Sequence, residues 1–346
     1  MQEEFEEIEN EENEEELFEH YRFKVDPGQE ILRIDKFLLD RLPNTSRNKI
    51  QFAAKNGNVL VNTITVKPNY RVKPGDEITI VMPYPVREIE LIPENIPIDI
   101  VYEDDQLAIV NKPSNMVVHP GYGNYTGTLV NAMVYHFDNL PNPISDYFGR
   151  PGLVHRLDKN TTGIMVVAKT EYALSNLAKQ FADRTTERRY HALVWGDVET
   201  DGTVTGNIGR SLKNRKVMSV FPEGDYGKHA VTHYKVLERF GLVTLIECKL
   251  ETGRTHQIRA HLKHIGHPLF NDNEYGGDKI VRGTTHTKYK QFIDNCFSLI
   301  PGQALHAKTL GFNHPHTKKD MLFDSNLVDG FDKILQKWRT YTKEKE

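Results

Sequence analysis

The sequence predicts an α+β protein in which a mixed, mainly antiparallel central sheet with flanking helices follows a small α/β domain. First, short apolar segments that are typical of strands dominate the chain from about residue 98 onward. Second, the segments 230–238 and 242–250 are separated by a turn at Phe240-Gly241, which favours an antiparallel hairpin. Third, strand and helix segments do not alternate regularly, which argues against a parallel sheet built from βαβ units.

The composition is that of an ordinary globular protein. With 346 residues, 38% apolar and 27% charged, the chain is long enough for about two domains. We expect neither a secretory signal nor a membrane span, because no segment approaches roughly 18 consecutive apolar residues. Cys248 and Cys296 cannot form a multi-cysteine zinc site by themselves, so we expect two reduced thiols in a cytoplasmic protein.

The N-terminal segment 1–20 is strongly acidic, with eleven Glu and no Lys or Arg. Like charges at this density repel one another and cannot bury a core, so we expect a disordered tail. The rest of the chain carries 44 Lys and Arg against 37 Asp and Glu, a basic balance that suits a polyanionic partner. The tail is either a solvated segment without a specific task or a competitor for the surface that binds this partner.

Residues 21–85 are predicted to form the small domain. Apolar spacing predicts two helices and two strands, at 31–42, 46–55, 59–61 and 77–82. Pro43 ends the first helix, Ser46 is a candidate cap for the second, and Gly57 ends that helix. A proline-rich linker then leads into a large domain over 86–346.

In the large domain, the apolar pattern predicts both strands and helices. The strands are expected at 98–103, 107–111, 164–169, 189–195, 216–220, 230–238 and 242–250. The helices are expected at 127–137, 171–182, 255–265 and 328–342. Strands therefore outnumber helices, as an antiparallel sheet with a few covering helices requires.

Basic residues cluster on the two predicted helices of the small domain. They are Arg33, Lys36, Arg47, Lys49 and Lys55. Taken singly, these residues describe no more than a solvated basic helix face. The ordered segments 33–38, 46–50, 55–62 and 72–76 resemble the S4 RNA-binding domain. The resemblance implies that the five basic side chains contact phosphates or sugar edges of folded RNA.

The segment 150–169 contains a candidate reactive carboxylate. A polar loop that contains glycine precedes an apolar strand, and loops held by strands often carry reactive side chains. Asp158 is flanked by Arg156 and Lys159, whose charges keep a carboxylate ionised, as a nucleophile or a base requires. On this local chemistry alone, an ordinary surface ion pair is the better interpretation.

Two further segments follow in order, TERRYHALVWG at 186–196 and LETGRTHQIRAH at 250–261. Together with His155-Arg156-Leu157-Asp158-Lys159 they resemble the motifs of pseudouridine synthases of the RluA type, and the resemblance extends over about 25–325. The first motif of that family usually reads H-R-L-D-K-D-T-S-G-L. This chain differs from it at Asn160, Thr162 and Ile164, and none of these changes affects Asp158. Lys112-Pro113 and His119-Pro120-Gly121 resemble the opening of the catalytic domain, where they would be architectural or face RNA.

The resemblance implies a role for each of three residues. Asp158 would be the catalytic carboxylate, Tyr190 would stack on the target base, and Arg254 would pair with Asp158 and the RNA backbone. Further RNA contacts are expected at Arg156, His256 and Arg259. Arg156 would also fill the space that the base leaves in the RNA. Attack on the ribose by Asp158 and removal of a ribose proton by Asp158 stay open as alternatives.

These resemblances predict an RNA pseudouridine synthase that acts on large-subunit ribosomal RNA as a cytoplasmic monomer. Isomerisation of uridine has no redox step and imports no group, so we expect no cofactor. We also expect no metal, because the spacing of His256, His261, His264 and His267 is not that of a metal site. The alternatives are another RNA-modifying enzyme, such as a methyltransferase, and a non-catalytic ribosome-assembly factor that binds RNA.

Overall fold

The computed structural model describes residues 18–42, 45, 47–82, 91–121, 123–141, 150–214 and 217–344. The described residues form two compact units, one within 18–82 and one from residue 91 onward. Residues 1–17 of the expected acidic tail, Ser46 and the side chain of Lys49 lie outside the described residues, whereas residues 18–20 begin a strand. No helix in the described ranges is long and apolar enough to cross a membrane.

The small unit combines a four-stranded antiparallel sheet with two short helices. Its elements are β1 (Phe18–Lys24), α1 (Ile34–Leu39), α2 (Arg47–Lys55), β2 (Val59–Val61), β3 (Ile64–Thr65) and β4 (Glu77–Met82). The strand order is β1-β4-β2-β3. The first helix is shorter than the apolar spacing over 31–42 predicts, because it begins at Ile34 and ends at Leu39. Ile31, which lies before it, is 60% exposed, whereas Ile34, Phe37 and Leu38 are buried in the core.

The large unit is built on a ten-stranded sheet. Its strands are β5 (Asp99–Glu103), β6 (Leu107–Lys112), β7 (Thr162–Ala168), β8 (Glu187–Trp195), β9 (Gly202–Arg210), β10 (Met218–Phe221), β11 (Lys228–Arg239), β12 (Val243–Leu250), β13 (Leu305–Asn313) and β14 (Asp320–Asp324). Its helices are α3 (Leu129–His136), α4 (Glu171–Ala182), α5 (Gln257–His264), α6 (Thr287–Phe297) and α7 (Asp329–Lys343). The strands are ordered β10-β9-β11-β12-β8-β13-β7-β6-β5, and β14 pairs with β13.

The sheet is mixed and mainly antiparallel, as the sequence predicts. Among the described strand pairs, β7 and β13 run parallel and the others run antiparallel. The expected segments at 98–103, 107–111, 164–169, 189–195, 230–238 and 242–250 all overlap observed strands. The apolar pattern does not predict β9, β13, β14 or α6.

The central strand β8 separates two hydrophobic cores. Tyr190 and Ala192 pack in the core that contains Ile258 of α5. Leu193 and Trp195 pack in the core that α6 and α7 cover on the opposite face. Because successive side chains of a strand point to opposite faces, the register of β8 directs Tyr190 toward α5 and the loop before it.

Gly163 allows the start of β7 to lie against β13. In the parallel pair it stands opposite Ala307 with φ +108°, and a Cβ at this position would overlap the backbone of Ala307. Glycine is therefore required for this close approach. The contact fixes the C-terminal end of the Asp158 loop to the sheet. Within this loop, the Thr161 amide donates a hydrogen bond to the carbonyl of Asp158 at 3.1 Å.

Candidate active site

A cleft of about 380 Å³ in the large unit brings together residues of all three sequence motifs. The expected site residues that line it are Arg156, Asp158, Tyr190, Arg254, His256 and Arg259. They come from the loop before β7, from β8, and from the segment that leads into α5. The cleft has the volume of a pocket that binds a small organic group, and five arginines and two acidic residues line it among apolar side chains.

Asp158 lies in the cleft with its carboxylate partly buried, at 19% exposure. Its Oδ2 accepts a hydrogen bond from Nη1 of Arg259 at 3.2 Å. Nε2 of His256 lies 3.9 Å from the other carboxylate oxygen, Oδ1. The guanidinium therefore holds the carboxylate by a charge-assisted hydrogen bond, and its other oxygen faces His256.

Arg259 is held by two further acidic residues. Its Nε and Nη2 donate to the two oxygens of Asp272 at 2.7 and 2.8 Å, and Nη2 also donates to Glu274 at 2.6 Å. The guanidinium lies 4.8 Å from the centroid of the Tyr275 ring. Burial alone would lower the pKa of Arg259, but these acidic partners raise it above its ordinary value. The cation beside Asp158 is therefore permanent and fixed in position.

The structure corrects the expected partner of Asp158. Arg254 was expected to pair with this carboxylate, but that pairing is wrong, because its Nε donates to the carbonyl of His229 at 3.1 Å. Its amide donates to the Gln257 side chain at 3.0 Å, which holds the turn before α5. Arg259, expected only as an RNA contact, makes the ion pair instead. Arg254 still lines the cleft, and its contact with RNA stays a prediction.

Tyr190 forms one wall of the cleft and is 8% exposed. Its backbone lies opposite Cys248 of β12 and Ala307 of β13, so the sheet holds it from both sides. Burial raises the pKa of Tyr190, so the phenol keeps its proton at neutral pH. A fixed aromatic ring beside a carboxylate can support a planar ligand by stacking.

His256 precedes α5 in the left-handed backbone conformation, with φ 52° and ψ 26°. Its Nδ1 lies 3.0 Å from the hydroxyl of Tyr275. Burial lowers the pKa of His256 against the charge of Asp158, which raises it. The neutral ring is therefore favoured at neutral pH, so His256 adds a polar group to the cleft without adding a full charge.

Lys112 is fully buried beneath the loop that carries Asp158. Its ammonium group donates to the carbonyls of Pro113 at 2.7 Å, Met116 at 2.9 Å and Lys159 at 3.0 Å. Burial lowers its pKa to about 7, against the charge of Asp158, which raises it. Of the two expected roles, the structure supports the architectural one, because Lys112 joins the loop after β6 to the residue next to Asp158.

Arg188 also lines the cleft, although the motifs predict no role for it. A signal for it exists in the sequence: Arg188 lies two residues before Tyr190 on the same strand, so both point to one face. Arg156, an expected RNA contact, is exposed at the cleft wall.

Three of the four histidines at 256–267, namely His256, His261 and His267, have protein partners in the described structure. His261 is buried with Nδ1 2.9 Å from the hydroxyl of Thr232, and Nδ1 of His267 lies 2.8 Å from the carbonyl of Trp195. Within the described ranges, no group of three His, Cys, Asp or Glu side chains is placed to hold a metal ion.

In the small unit, Asp35 organises two of the basic residues expected to bind RNA. Its side chain is fully buried and accepts from Arg33 at 3.0 and 2.9 Å and from Arg47 at 3.0 Å. Burial raises the pKa of Asp35, but hydrogen bonds from Arg33, Gln51 and Arg47 together hold it well below its usual range. Arg33 also lines a groove with Lys55 and Lys67. Lys36 is exposed on α1.

The fold and the cleft define an enzyme that acts on an anionic substrate, because a held carboxylate and a fixed aromatic ring share one pocket with several arginines. The family model described as RNA pseudouridylate synthase matches residues 106–264, and the model of the S4 domain matches residues 32–78. The chain belongs to the RNA pseudouridine synthase family and carries an S4 domain.

Relatives support this membership over nearly the whole chain. An uncharacterized RNA pseudouridine synthase of Chlorobaculum parvum is 47% identical over 318 residues, which cover 91% of this chain and 97% of that protein. The ribosomal large subunit pseudouridine synthase D of Nitrosomonas europaea is 42% identical over 305 residues, which cover 88% and 84%. The solved structure of human RNA pseudouridylate synthase domain containing 4 has a TM-score of 0.52 at 24% identity, and covers 70% of this chain and 93% of that chain. This last likeness is one of fold.

Proposed function

We propose that this protein converts uridine to pseudouridine in large-subunit ribosomal RNA, with Asp158 as the catalytic carboxylate. One observation carries the proposal: Asp158 lies in the cleft at 3.2 Å from a buried arginine, with Tyr190 in the wall of the same cleft. The choice of ribosomal RNA rests on relatives such as the ribosomal large subunit pseudouridine synthase D of Nitrosomonas europaea. Action as a cytoplasmic monomer is part of the same proposal.

The reaction breaks the bond between uracil N1 and ribose C1′ and makes a new bond from C5 to C1′. The proton that leaves C5 passes to water, and N1 gains a proton, so no redox partner or imported group is needed. Asp158 either attacks the ribose or removes a ribose proton, and both routes require the ionised carboxylate. Arg259 fixes the direction of the carboxylate, since its guanidinium is held from its other edge by Asp272.

The target base must leave its stack in the RNA before it can enter the cleft, at a cost of a few kcal/mol. Stacking on Tyr190 would return roughly 1–3 kcal/mol of this cost. Arg156 is exposed at the cleft wall and would fill the space left in the RNA. Arg254 would contact the RNA backbone, and the S4 domain would add phosphate contacts through Arg33, Lys36, Arg47, Lys49 and Lys55.

The proposal is tested with large-subunit ribosomal RNA that is tritiated at uracil C5. The wild-type protein should release tritium to water, and Asp158→Asn should abolish the release while RNA binding is retained. Asp197→Asn is the matched control, because Asp197 forms an exposed ion pair with Arg239. This variant should release tritium at the wild-type rate.

RNA binding without tritium release by the wild-type protein would replace the proposal with a ribosome-assembly role. Release by Asp158→Asn at the wild-type rate would remove Asp158 from the chemistry. Mapping of pseudouridines in ribosomal RNA from cells with and without the gene then identifies the target uridine.

A further inference from the structure

Two neighbouring arginines on β8 have opposite surroundings. Arg189 donates from Nε to Glu187 at 2.6 Å and from Nη1 to Glu247 at 2.8 Å. Arg188 points to the other face, the face of Tyr190, and lines the cleft. Among the described residues, Arg188 has neither a hydrogen-bond acceptor nor a carboxylate partner, although its Nε is buried.

The guanidinium of Arg188 lies beside the loop that carries Arg254. Its Cζ is 5.5 Å from the centroid of the Phe181 ring. A Cβ placed on Gly253 would lie 3.0 Å from Nη1 of Arg188, so the absence of a side chain at Gly253 leaves room for the guanidinium. The cation thus stands at the cleft wall between β8 and the turn before α5.

Neither acidic residue in the described lining of the cleft forms an ion pair with Arg188. The carboxylates that line the described cleft are Asp158, which is paired with Arg259, and Glu251, which lies 2.6 Å from Nε2 of His233. The charge affects its neighbour His155, whose pKa falls to about 3 through burial and the positive charge of Arg188. A partly buried charge without a partner is unfavourable in the free protein, so an anion that enters the cleft would remove this cost.

We propose that Arg188 binds a phosphate that flanks the target uridine and so holds that nucleotide while its base lies against Tyr190. This inference rests on the proposed function and names a residue that positions the substrate. A phosphate fits better than a uracil carbonyl, because a neutral carbonyl would leave the charge of Arg188 uncompensated. The planar fork of a guanidinium also matches two oxygens of a phosphate.

The first test measures how salt weakens binding to a short RNA that contains the mapped uridine. Arg188→Gln should raise Kd by about tenfold. It should also make the slope of log Kd against log salt shallower by about 0.7, the value for one lost phosphate contact on a single strand. Arg188→Lys should keep most of the slope, because it keeps the charge. Arg189→Gln is the matched control and should keep the wild-type slope, since Arg189 is already paired with two carboxylates.

The second test replaces the phosphate on the 5′ side or the 3′ side of the uridine, one at a time, by an uncharged methylphosphonate. At one of the two positions, the replacement should weaken binding of the wild-type protein about as much as Arg188→Gln does. At that position it should cost Arg188→Gln almost nothing more, because the contact is already lost. Thermal unfolding of each variant shows whether the fold is retained.

The proposal is overturned if both replacements add fully to the effect of Arg188→Gln, or if this variant keeps the wild-type salt slope. Either result would place Arg188 against the base or make it a packing residue above Phe181. Failure of the proposed function looks different, since the wild-type protein would then release no tritium at all.

Discussion

Arg259 links the carboxylate of Asp158 to a second, buried carboxylate. Nη1 of Arg259 donates to Asp158 at 3.2 Å, while Nε and Nη2 of the same guanidinium donate to Asp272 at 2.7 and 2.8 Å. Asp272 itself is fully buried and accepts from the amides of Glu274 and Tyr275 at 3.2 and 3.3 Å. The direction of Asp158 is therefore set by the loop at 271–275 as well as by its own loop.

Arg259→Lys should slow tritium release by about 100-fold under single-turnover conditions, because an ammonium group cannot hold Asp272 with two parallel bonds and also reach Asp158. The affinity for RNA should change much less than the rate. The measurement is single-turnover tritium release with RNA in excess over its Kd, together with Kd itself.

Arg339→Lys is the control for Arg259→Lys, because Arg339 makes a comparable two-bond contact with Glu238 at the surface. It should leave the rate at the wild-type value. A rate for Arg259→Lys within threefold of wild type would show that the link to Asp272 does not direct Asp158.

Tyr190→Leu should raise the KM for RNA about 5- to 150-fold, which corresponds to the loss of roughly 1–3 kcal/mol of stacking on the target base. Tyr190→Phe keeps the ring and should stay within about threefold of the wild-type KM. Steady-state tritium release measures both, and thermal unfolding checks that leucine is tolerated at this buried position. Equal defects in the two variants would assign the function of Tyr190 to its hydroxyl group.

The large-scale fold could be predicted because strong local patterns mark its central strands. The segments of β8, β11 and β12 are rich in β-branched and apolar residues, and a glycine turn joins the last two. Strand β9 was missed because Gly202, Gly206 and Gly209 weaken its apolar alternation. A Cβ at any of these three glycines would meet the side chain of Tyr234, Val220 or Tyr226. Their need for glycine comes from tertiary packing, which no local pattern shows.

The three motifs meet in one cleft, as the resemblance implies, but Asp158 pairs with Arg259 and not with Arg254. Arg254 and Arg259 lie in the same motif, and the sequence cannot tell which of them reaches Asp158. The answer depends on the turn into α5, where His256 takes a left-handed conformation and Arg254 is directed to His229. Likewise, Arg189 has carboxylate partners and Arg188 has none among the described residues, because Glu187 and Glu247 lie on the face of the sheet to which Arg189 points.

Asp35→Asn should weaken RNA binding by about tenfold, because Arg33 and Arg47 both depend on this buried carboxylate for their position. Tritium release at saturating RNA should stay within about twofold of wild type, since no cleft residue changes. Filter binding and tritium release on the full chain separate the two effects. Asp40→Asn, at the exposed end of α1, is the control and should bind RNA as the wild type does. A slower rate at saturation with unchanged affinity would contradict the assigned role of Asp35.

His306 should make the large unit less stable in acid. Its ring is fully buried, with Nδ1 2.8 Å from the hydroxyl of Thr162 and Nε2 2.7 Å from that of Ser325. Burial, with smaller effects from the charges of His191 and Lys308, lowers the pKa of His306 to about 4. The ordinary pKa of histidine in an unfolded chain is about 6.5. Between these two values the unfolded chain binds more protons than the folded one, so stability is complete above about pH 6.5 and is lost as the pH falls toward 4.

His306→Gln should therefore flatten the dependence of unfolding free energy on pH by about 1 kcal/mol per pH unit between pH 6 and 5. The measurement is denaturant unfolding followed by tryptophan fluorescence, which reports on the large unit because Trp195 and Trp338 both lie in its core. His286→Gln, at an exposed position before α6, should give a curve parallel to that of the wild type. Parallel curves for wild type and His306→Gln would mean that His306 takes up no proton on unfolding, and that its ring is charged in the folded protein.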